Sequence, residues 1–118
     1  MRLPDNASAA AEARRYVRRW AAIHGLPEGV TEQAELIVDE LVTNAVRHAI
    51  PPFELEISPA ATVVHGEVTD SCDTFFSPET RDFDSGFGLM IVDAESSRWG
   101  VSLRPEGKKV WFEIDLTD

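Results

Sequence analysis

The spacing of apolar residues changes once along the chain, at Pro51-Pro52, and this change constrains the fold more than any other feature. Before the two prolines, apolar residues recur every three or four positions, as on one face of an α-helix. After them, apolar and polar residues alternate in several segments, as along a β-strand with one buried face. Because a proline pair stops a helix, we expect an N-terminal helical part followed by a part that is mostly sheet.

Two helices are predicted before the prolines. Asn6 or Ser8 can cap the first helix and Gly25 can end it, while Thr31 can cap the second. Four arginines fill much of the outer face of the first helix, either as a solvated face or as a site for an acidic partner: Arg14, Arg15, Arg18 and Arg19. The apolar stripe of the second helix comprises Ala34, Val38, Leu41, Val42, Ala45 and Ala49.

The part after the prolines begins with two predicted strands. Phe53, Leu55 and Ile57 alternate with polar residues, and the stretch from Thr62 to Thr69 is a second strand candidate after a turn. The stretch from Ser71 to Ser85 has no clean period and is predicted to be a long loop, of the kind that often forms a functional lid.

A short helix and a hairpin are predicted to complete the chain. Leu89 to Ala94 follows two glycines and has the pattern of a short helix. Trp99 to Arg104 and Val110 to Leu116 alternate strictly, and Pro105-Glu106-Gly107 turns the chain between them. The predicted order is therefore α-α-β-β-loop-α-β-β.

This order predicts an α+β fold with two layers. A mixed, mostly antiparallel sheet with helices covering one face would bury both sets of apolar residues. With 118 residues, the chain is long enough for one hydrophobic core and too short for two. We therefore expect residues 1–118 to form a single domain.

Charge and composition limit the partners that can be expected. The net charge is -10 and the pI is about 4.6, so nucleic acid and anionic membranes would repel much of the surface. No apolar run approaches the roughly 20 residues of a membrane span, and the N-terminus lacks a secretory pattern. The sequence therefore predicts a cytoplasmic protein that binds neither nucleic acid nor membrane.

Three polar residues on the second predicted helix are candidates for a site. Glu40, Asn44 and His48 are each spaced by about one helical turn, so they line one oblique strip beside the apolar stripe. An asparagine oxygen suits a hard cation such as Mg²⁺, and a carboxylate one turn earlier can polarise a water or hydroxyl. The same spacing also occurs on solvated helix surfaces, so the spacing alone leaves both interpretations open.

The segment Glu40 to Ala49 closely resembles the asparagine box of the gyrase, histidine-kinase and mismatch-repair ATPase superfamily. It is most similar to the version found in small bacterial anti-sigma-factor serine kinases. Ser85 to Val92 resembles the second glycine box of that family, and Arg98 to Val101 with Val110 to Ile114 resembles its closing hairpin. The resemblance covers nearly the whole chain and implies the two-layer α/β sandwich of the histidine-kinase-like ATPase (Bergerat) type.

The resemblance implies ATP and Mg²⁺ as cofactors and gives roles to the residues of the second helix. The glutamate that matches Glu40 acts as general base toward a water or the serine hydroxyl of a protein substrate. The asparagine that matches Asn44 ligates Mg²⁺ between the phosphates. His48 lies in the same box and is implied to contribute to nucleotide binding.

The resemblance also implies nucleotide contacts outside that helix. The aspartate that matches Asp70 accepts a hydrogen bond from the adenine amino group. The glycines that match Gly86 and Gly88 let the backbone approach the phosphates at the start of a helix, where free N–H groups attract anions. Leu89 follows them in the same box and is implied to line the site.

The sequence departs from the family pattern at two places. The first glycine box has glycines after its aspartate, but Asp70 is followed by Ser71-Cys72-Asp73-Thr74. The family has a threonine before the last strand, but Lys108 and Lys109 stand here. Both departures fall on the adenine side, so we expect weak ATP binding, with a Kd on the order of 0.1 mM or weaker.

Three functions are compatible with this pattern. The first is ATP-dependent phosphorylation of a serine or threonine on a small antagonist protein, coupled to release of a sigma factor. The second is a protein-binding module that sequesters a sigma factor or another regulator, with weak nucleotide binding or none. The third, a sensor kinase that acts on histidine, is disfavoured because no phosphoacceptor helix pair accompanies the domain. A homodimer is left open.

Overall fold

A computed structural model describes residues 1–71 and 83–116 of the chain, and for residues 83–88 it describes the backbone only. The elements are β1 (Arg2–Leu3), α1 (Ala9–Ile23), α2 (Glu28–His48), β2 (Phe53–Pro59), β3 (Val63–Asp70), α3 (Phe83–Glu95), β4 (Arg98–Arg104) and β5 (Gly107–Asp115). The predicted order is confirmed, with β1 as an addition. None of the helices in these ranges is long and apolar enough to cross a membrane.

The strands form one sheet in the order β1-β2-β3-β5-β4. Every pairing between neighbouring strands is antiparallel, so the predicted mixed sheet is purely antiparallel over the described residues. The α+β class with helices on one face is confirmed. One row that faces the helices runs across the sheet through Leu55, Val68, Val110 and Val101.

The core lies between the sheet and the helices. Phe53 and Phe112 are fully buried from the sheet side, and Ile37 is fully buried from α2. On α1, alanines at helical spacing let it pack closely on α2: Ala9, Ala13 and Ala21 are all at most 2% exposed. The alternation that predicted the strands therefore marks the buried face of the sheet.

Two arginines of α1 are committed to α2. Arg14 forms an ion pair with Asp39, and Arg18 forms ion pairs with Glu28 and Glu35. These pairs are largely solvent-exposed, so each contributes little to stability. The arginine face is therefore only partly a solvated surface.

The predicted cap of α2 is wrong. α2 begins at Glu28, directly after Pro27, and Thr31 lies one turn inside it with 3% of its surface exposed. The Thr31 hydroxyl donates a hydrogen bond to the Pro27 carbonyl oxygen at 3.1 Å. A threonine inside a helix can donate its hydroxyl hydrogen to a carbonyl oxygen of the preceding turn. Thr31 can therefore be buried inside α2 without an unpaired hydroxyl, and it does not have to cap the helix.

α3 is longer than the sequence predicts. It spans Phe83–Glu95 instead of Leu89 to Ala94, so Ser85, Gly86 and Gly88 belong to the helix and not to a loop before it. The prediction rested on the low helix propensity of glycine, and propensity is a weak guide that does not exclude glycine from a helix. The remainder of the predicted loop, and with it the predicted lid and Cys72, lies outside the described residues.

The face of the sheet away from the helices, called here the open face, carries a polar network. His65 lies between two carboxylates, with Nε2 2.8 Å from Glu67 and Nδ1 3.0 Å from Glu113. Arg98 also bonds Glu113, and Lys109 lies 3.5 Å from Glu67. Burial opposes the charged imidazole, but the hydrogen bonds to both carboxylates outweigh it, so the pKa of His65 is raised.

Candidate nucleotide site

α2 carries the predicted strip of polar residues. Glu40 and Asn44 are partly buried, and each is followed by a buried residue of the apolar stripe, Leu41 and Ala45. His48 is the last residue of α2 and is exposed. The strip thus runs along the boundary between the core and solvent, where side chains can contact both a ligand and the packed helix.

The Glu40 carboxyl lies in a setting that favours its protonated form. Partial burial raises the pKa of Glu40, and repulsion from Asp39 raises it further, while Arg47 opposes the shift. The Arg14 guanidinium holds Asp39 in an ion pair on the side toward α1. Since basicity rises with pKa, Glu40 is a stronger proton acceptor than an ordinary surface glutamate.

α3 packs against α2. Gln33 Nε2 donates a hydrogen bond to the Glu95 carbonyl oxygen at 3.2 Å, which joins the start of α2 to the end of α3.

Asp70 ends β3 as a buried carboxylate. The residue is 7% exposed and its side chain is 4% exposed. The next residue, Ser71, donates its backbone N–H to the Ile50 carbonyl oxygen at 2.8 Å, so the end of β3 lies beside the segment that follows α2. Asp70 therefore sits at the same end of the domain as His48.

Lys108 is a member of this site that the sequence analysis noted only as a departure from the family. Its Nζ lies 2.8 Å from Asp70 Oδ2, and its side chain is 16% exposed. The antiparallel register sets Lys108 directly opposite Asp70. The alternation of residues along β3 and β5 places Asp70 and Lys108 on the helix-facing side of the sheet. That the two residues meet follows only from the register in which the strands pair.

The donor atoms on α2 fit a magnesium ion that is shared with a ligand. Within residues 1–71 and 83–116, no group of three or more His, Cys, Asp or Glu side chains converges to hold a metal. Asn44 offers one amide oxygen, and Mg²⁺ in nucleotide sites commonly takes one or two protein oxygens, with phosphate and water completing the shell. The residues thus fit Mg²⁺ bound together with phosphates and not a site built by protein alone.

Comparisons with known proteins identify the family and the fold. Residues 3–114 match the family model of the histidine kinase-like ATPase domain. The RsbU and RsbW domains of Rv1364c from Mycobacterium tuberculosis superpose with a TM-score of 0.78 at 20% identity, over 98% of this chain and 31% of that one.

The histidine kinase domain of the blue-light activated histidine kinase EL346 from Erythrobacter litoralis superposes with a TM-score of 0.62 at 19% identity, over 91% of this chain and 60% of that one. This chain therefore spans less than two thirds of either structure, and at these identities the likeness shows the fold. No curated protein matches. Because the family model covers nearly the whole chain, the chain belongs to the histidine kinase-like ATPase domain family.

Proposed function

We propose that this chain is an ATP-binding regulatory domain of the anti-sigma-factor serine/threonine kinase type, acting in the cytoplasm on a small antagonist protein. The observation that carries the proposal is that Glu40, whose pKa is raised, lies one helical turn before Asn44 on the same strip of α2. Family membership supports nucleotide binding. The net charge of -10 supports a protein partner in preference to nucleic acid.

In this proposal, the strip on α2 performs the proton transfer. Glu40 takes the proton from the serine or threonine hydroxyl of the partner as the oxygen attacks the γ-phosphorus. A new O–P bond forms, the bond to the β,γ-bridging oxygen breaks, and ADP leaves. Asn44 would hold Mg²⁺, which neutralises charge on the phosphates when it is bound with ATP. The raised pKa suits Glu40 to this role because it increases the drive for proton transfer.

The other implied contacts surround the strip. Gly86 and Gly88 are the fourth and sixth residues of α3, after the first N–H groups of the helix. Because glycine has no side chain, they would let a phosphate lie close to the helix backbone. Leu89 is partly buried directly after them and would line the site. Asp70 would accept a hydrogen bond from the adenine amino group, and His48 would close the opposite end of the strip.

A second candidate function is a protein-binding module that sequesters a sigma factor or another regulator without phosphorylating a partner. The ion pair between Asp70 and Lys108 favours it, because Lys108 already engages one oxygen of the carboxylate that would identify adenine. Weak nucleotide binding is compatible with either function. The two are separated by whether a phosphoryl group is transferred.

The test compares Glu40→Gln with Glu32→Gln, an exposed glutamate on the same helix. Transfer of labelled γ-phosphate to candidate antagonist proteins is measured beside calorimetry of Mg-ATP binding. Glu40→Gln should lower transfer by about 10²–10⁴-fold with binding nearly unchanged, and Glu32→Gln should change neither. Transfer by the wild type should also fall as pH drops through the raised pKa of Glu40.

Undiminished transfer by Glu40→Gln would contradict the role given to this residue. Absence of transfer by the wild type to every antagonist, with stable binding of a sigma factor, would favour the second candidate. Because Gln keeps the shape of the side chain and Glu40 is only partly buried, the variant should remain folded.

A further inference from the structure

We infer that Lys108 occupies the position in which a nucleotide base would meet Asp70, and that this side chain sets how tightly the chain binds an adenine nucleotide. The inference rests on the proposed function, since it takes Asp70 as the base-recognising residue. It concerns a residue that the family pattern does not supply, because a threonine stands before the last strand in that pattern.

The backbone of β5 fixes Lys108 against Asp70. The two residues are direct partners in the antiparallel register of β3 and β5. Gly107, which precedes Lys108, approaches the Asp70 backbone so closely that an added Cβ would collide with its carbonyl oxygen and come within 2.9 Å of Ser71 Cα. The start of β5 is therefore pressed onto the end of β3, which leaves Lys108 little freedom to move away as a whole.

The ion pair engages one oxygen of a buried carboxylate. Lys108 Nζ lies 2.8 Å from Oδ2, and only 4% of the Asp70 side chain is exposed. An adenine amino group that approached Oδ2 would have to displace the ammonium group. The ammonium group attracts the carboxylate as one full charge attracts another, and the neutral amino group does not, so the exchange of ammonium for amine lowers the affinity.

Lys109 provides a natural comparison. It belongs to the same strand but points to the open face, where its Nζ lies 3.5 Å from Glu67 Oε1. Its side chain is 27% exposed, compared with 16% for Lys108. The two neighbouring lysines have equal charge, so the effect of Lys108 can be separated from the effect of one positive charge on a strongly acidic protein.

A purely structural role for Lys108 would have different consequences. Removal of Lys108 takes one partner from a buried carboxylate and destabilises the unliganded protein. If the ion pair served stability alone, nucleotide affinity would stay equal or fall. If Lys108 occupies the base position, stability without ligand and affinity for ligand change in opposite directions, because the amino group of the base can then donate to the oxygen that Lys108 contacts.

The experiment measures Mg-ATP affinity by calorimetry for the wild type, Lys108→Met and Lys109→Met. Methionine keeps the unbranched stem and removes the ammonium group. Lys108→Met should bind at least about tenfold more tightly, the equivalent of one charge-assisted hydrogen bond, whereas Lys109→Met should match the wild type. Without ligand, Lys108→Met should have a lower Tm than the wild type. Addition of ATP should raise the Tm of Lys108→Met by more than it raises the Tm of the wild type.

Lys108→Gln guards against a variant that fails to fold, since its amide can still donate to Asp70 without the charge. It should lie between the wild type and Lys108→Met in affinity. Measurable binding by the wild type with equal or weaker binding by both Lys108 variants overturns the inference and leaves the proposed function intact. Absence of ATP binding by the wild type and by all folded variants overturns both.

Discussion

Gly107 allows the sharpest test of how the site is built, because replacement by alanine strikes the contact between β3 and β5 directly. Its φ is +151°, a conformation that L side chains rarely adopt. A Cβ at this position would lie far inside 3.0 Å of the Asp70 carbonyl oxygen and 2.9 Å from Ser71 Cα. These neighbours are backbone atoms and cannot rotate away, so β5 itself would have to move.

The cost of Gly107→Ala has two components. A non-glycine residue in this part of backbone space costs about 1–3 kcal/mol. Relief of the collision requires β5 to move by about an ångström at its first residues, which weakens the ladder opposite Asp70 by roughly one hydrogen bond, or about 1 kcal/mol. The expected loss is about 3 kcal/mol, which corresponds to roughly 10–15 °C in Tm for a domain of this size.

Thermal unfolding followed by circular dichroism measures this loss against two matched alanine variants. Gly25→Ala has positive φ, +67°, but no neighbour within 4 Å, so it should lose only about 1 kcal/mol from strain. Gly29→Ala has neither problem and lies in α2, so it should gain about 0.5–1 kcal/mol. If Gly107→Ala loses no more than Gly25→Ala, the close approach of β5 to Asp70 does not constrain the fold.

Two further predictions concern Mg²⁺ and pH. Asn44→Ala should abolish the Mg²⁺ dependence of nucleotide binding, and the variant should stay folded because Asn44 is only partly buried. If calorimetry shows the same Mg²⁺ dependence in the wild type and in the variant, Asn44 is not the Mg²⁺ ligand. His65→Gln should lower the free energy of unfolding in urea at pH 5.5, because carboxylates only accept and both ring nitrogens must donate to Glu67 and Glu113. The pKa of His65 is raised in the folded protein, so the stability that its charged ring contributes is complete below the pKa of the unfolded chain, about 6.5, and is lost as pH rises through the folded pKa. A difference in unfolding free energy between the two proteins that is independent of pH would contradict this prediction.

The sequence predicted the elements whose apolar residues repeat over several turns or pairs. Phe53, Leu55 and Ile57 alternate through most of β2, and all three are buried as expected. β1 was not predicted because two residues contain no period, and it exists only through its pairing with β2. Local pattern is therefore sufficient for elements that bury their own face, and insufficient for elements that depend on a partner.

The errors at helix ends have local physical causes. Thr31 is a good cap by residue type, but its hydroxyl is satisfied on the Pro27 carbonyl and α2 starts earlier. Gly86 and Gly88 are poor helix formers by propensity, yet α3 begins at Phe83. In both cases the preference of the residue type is at most about 1 kcal/mol, which is too small to decide where a helix begins.

The candidate site also contains one part that local sequence pattern predicts and one part that depends on tertiary contacts. Glu40, Asn44 and His48 share one helix, so their common strip follows from spacing and could be predicted without tertiary structure. The contact of Asp70 with Lys108 depends on the register of two strands that are distant in sequence, and composition around either residue does not predict it. The unusual lysines are visible in the sequence, but the residue that one of them contacts is not.

This division means that the two ends of the site can change independently. A substitution at Lys108 alters the environment of Asp70 at the end of β3 and leaves the Glu40 strip on α2 untouched. Weak binding of the base therefore does not imply loss of phosphoryl transfer: with a Kd on the order of 0.1 mM, half of the sites are occupied when free ATP reaches that value. Affinity and transfer must be measured separately, because under the proposed function a protein with Asp70 paired to Lys108 and an intact Glu40 would act as a binding module at low ATP and as a kinase at high ATP.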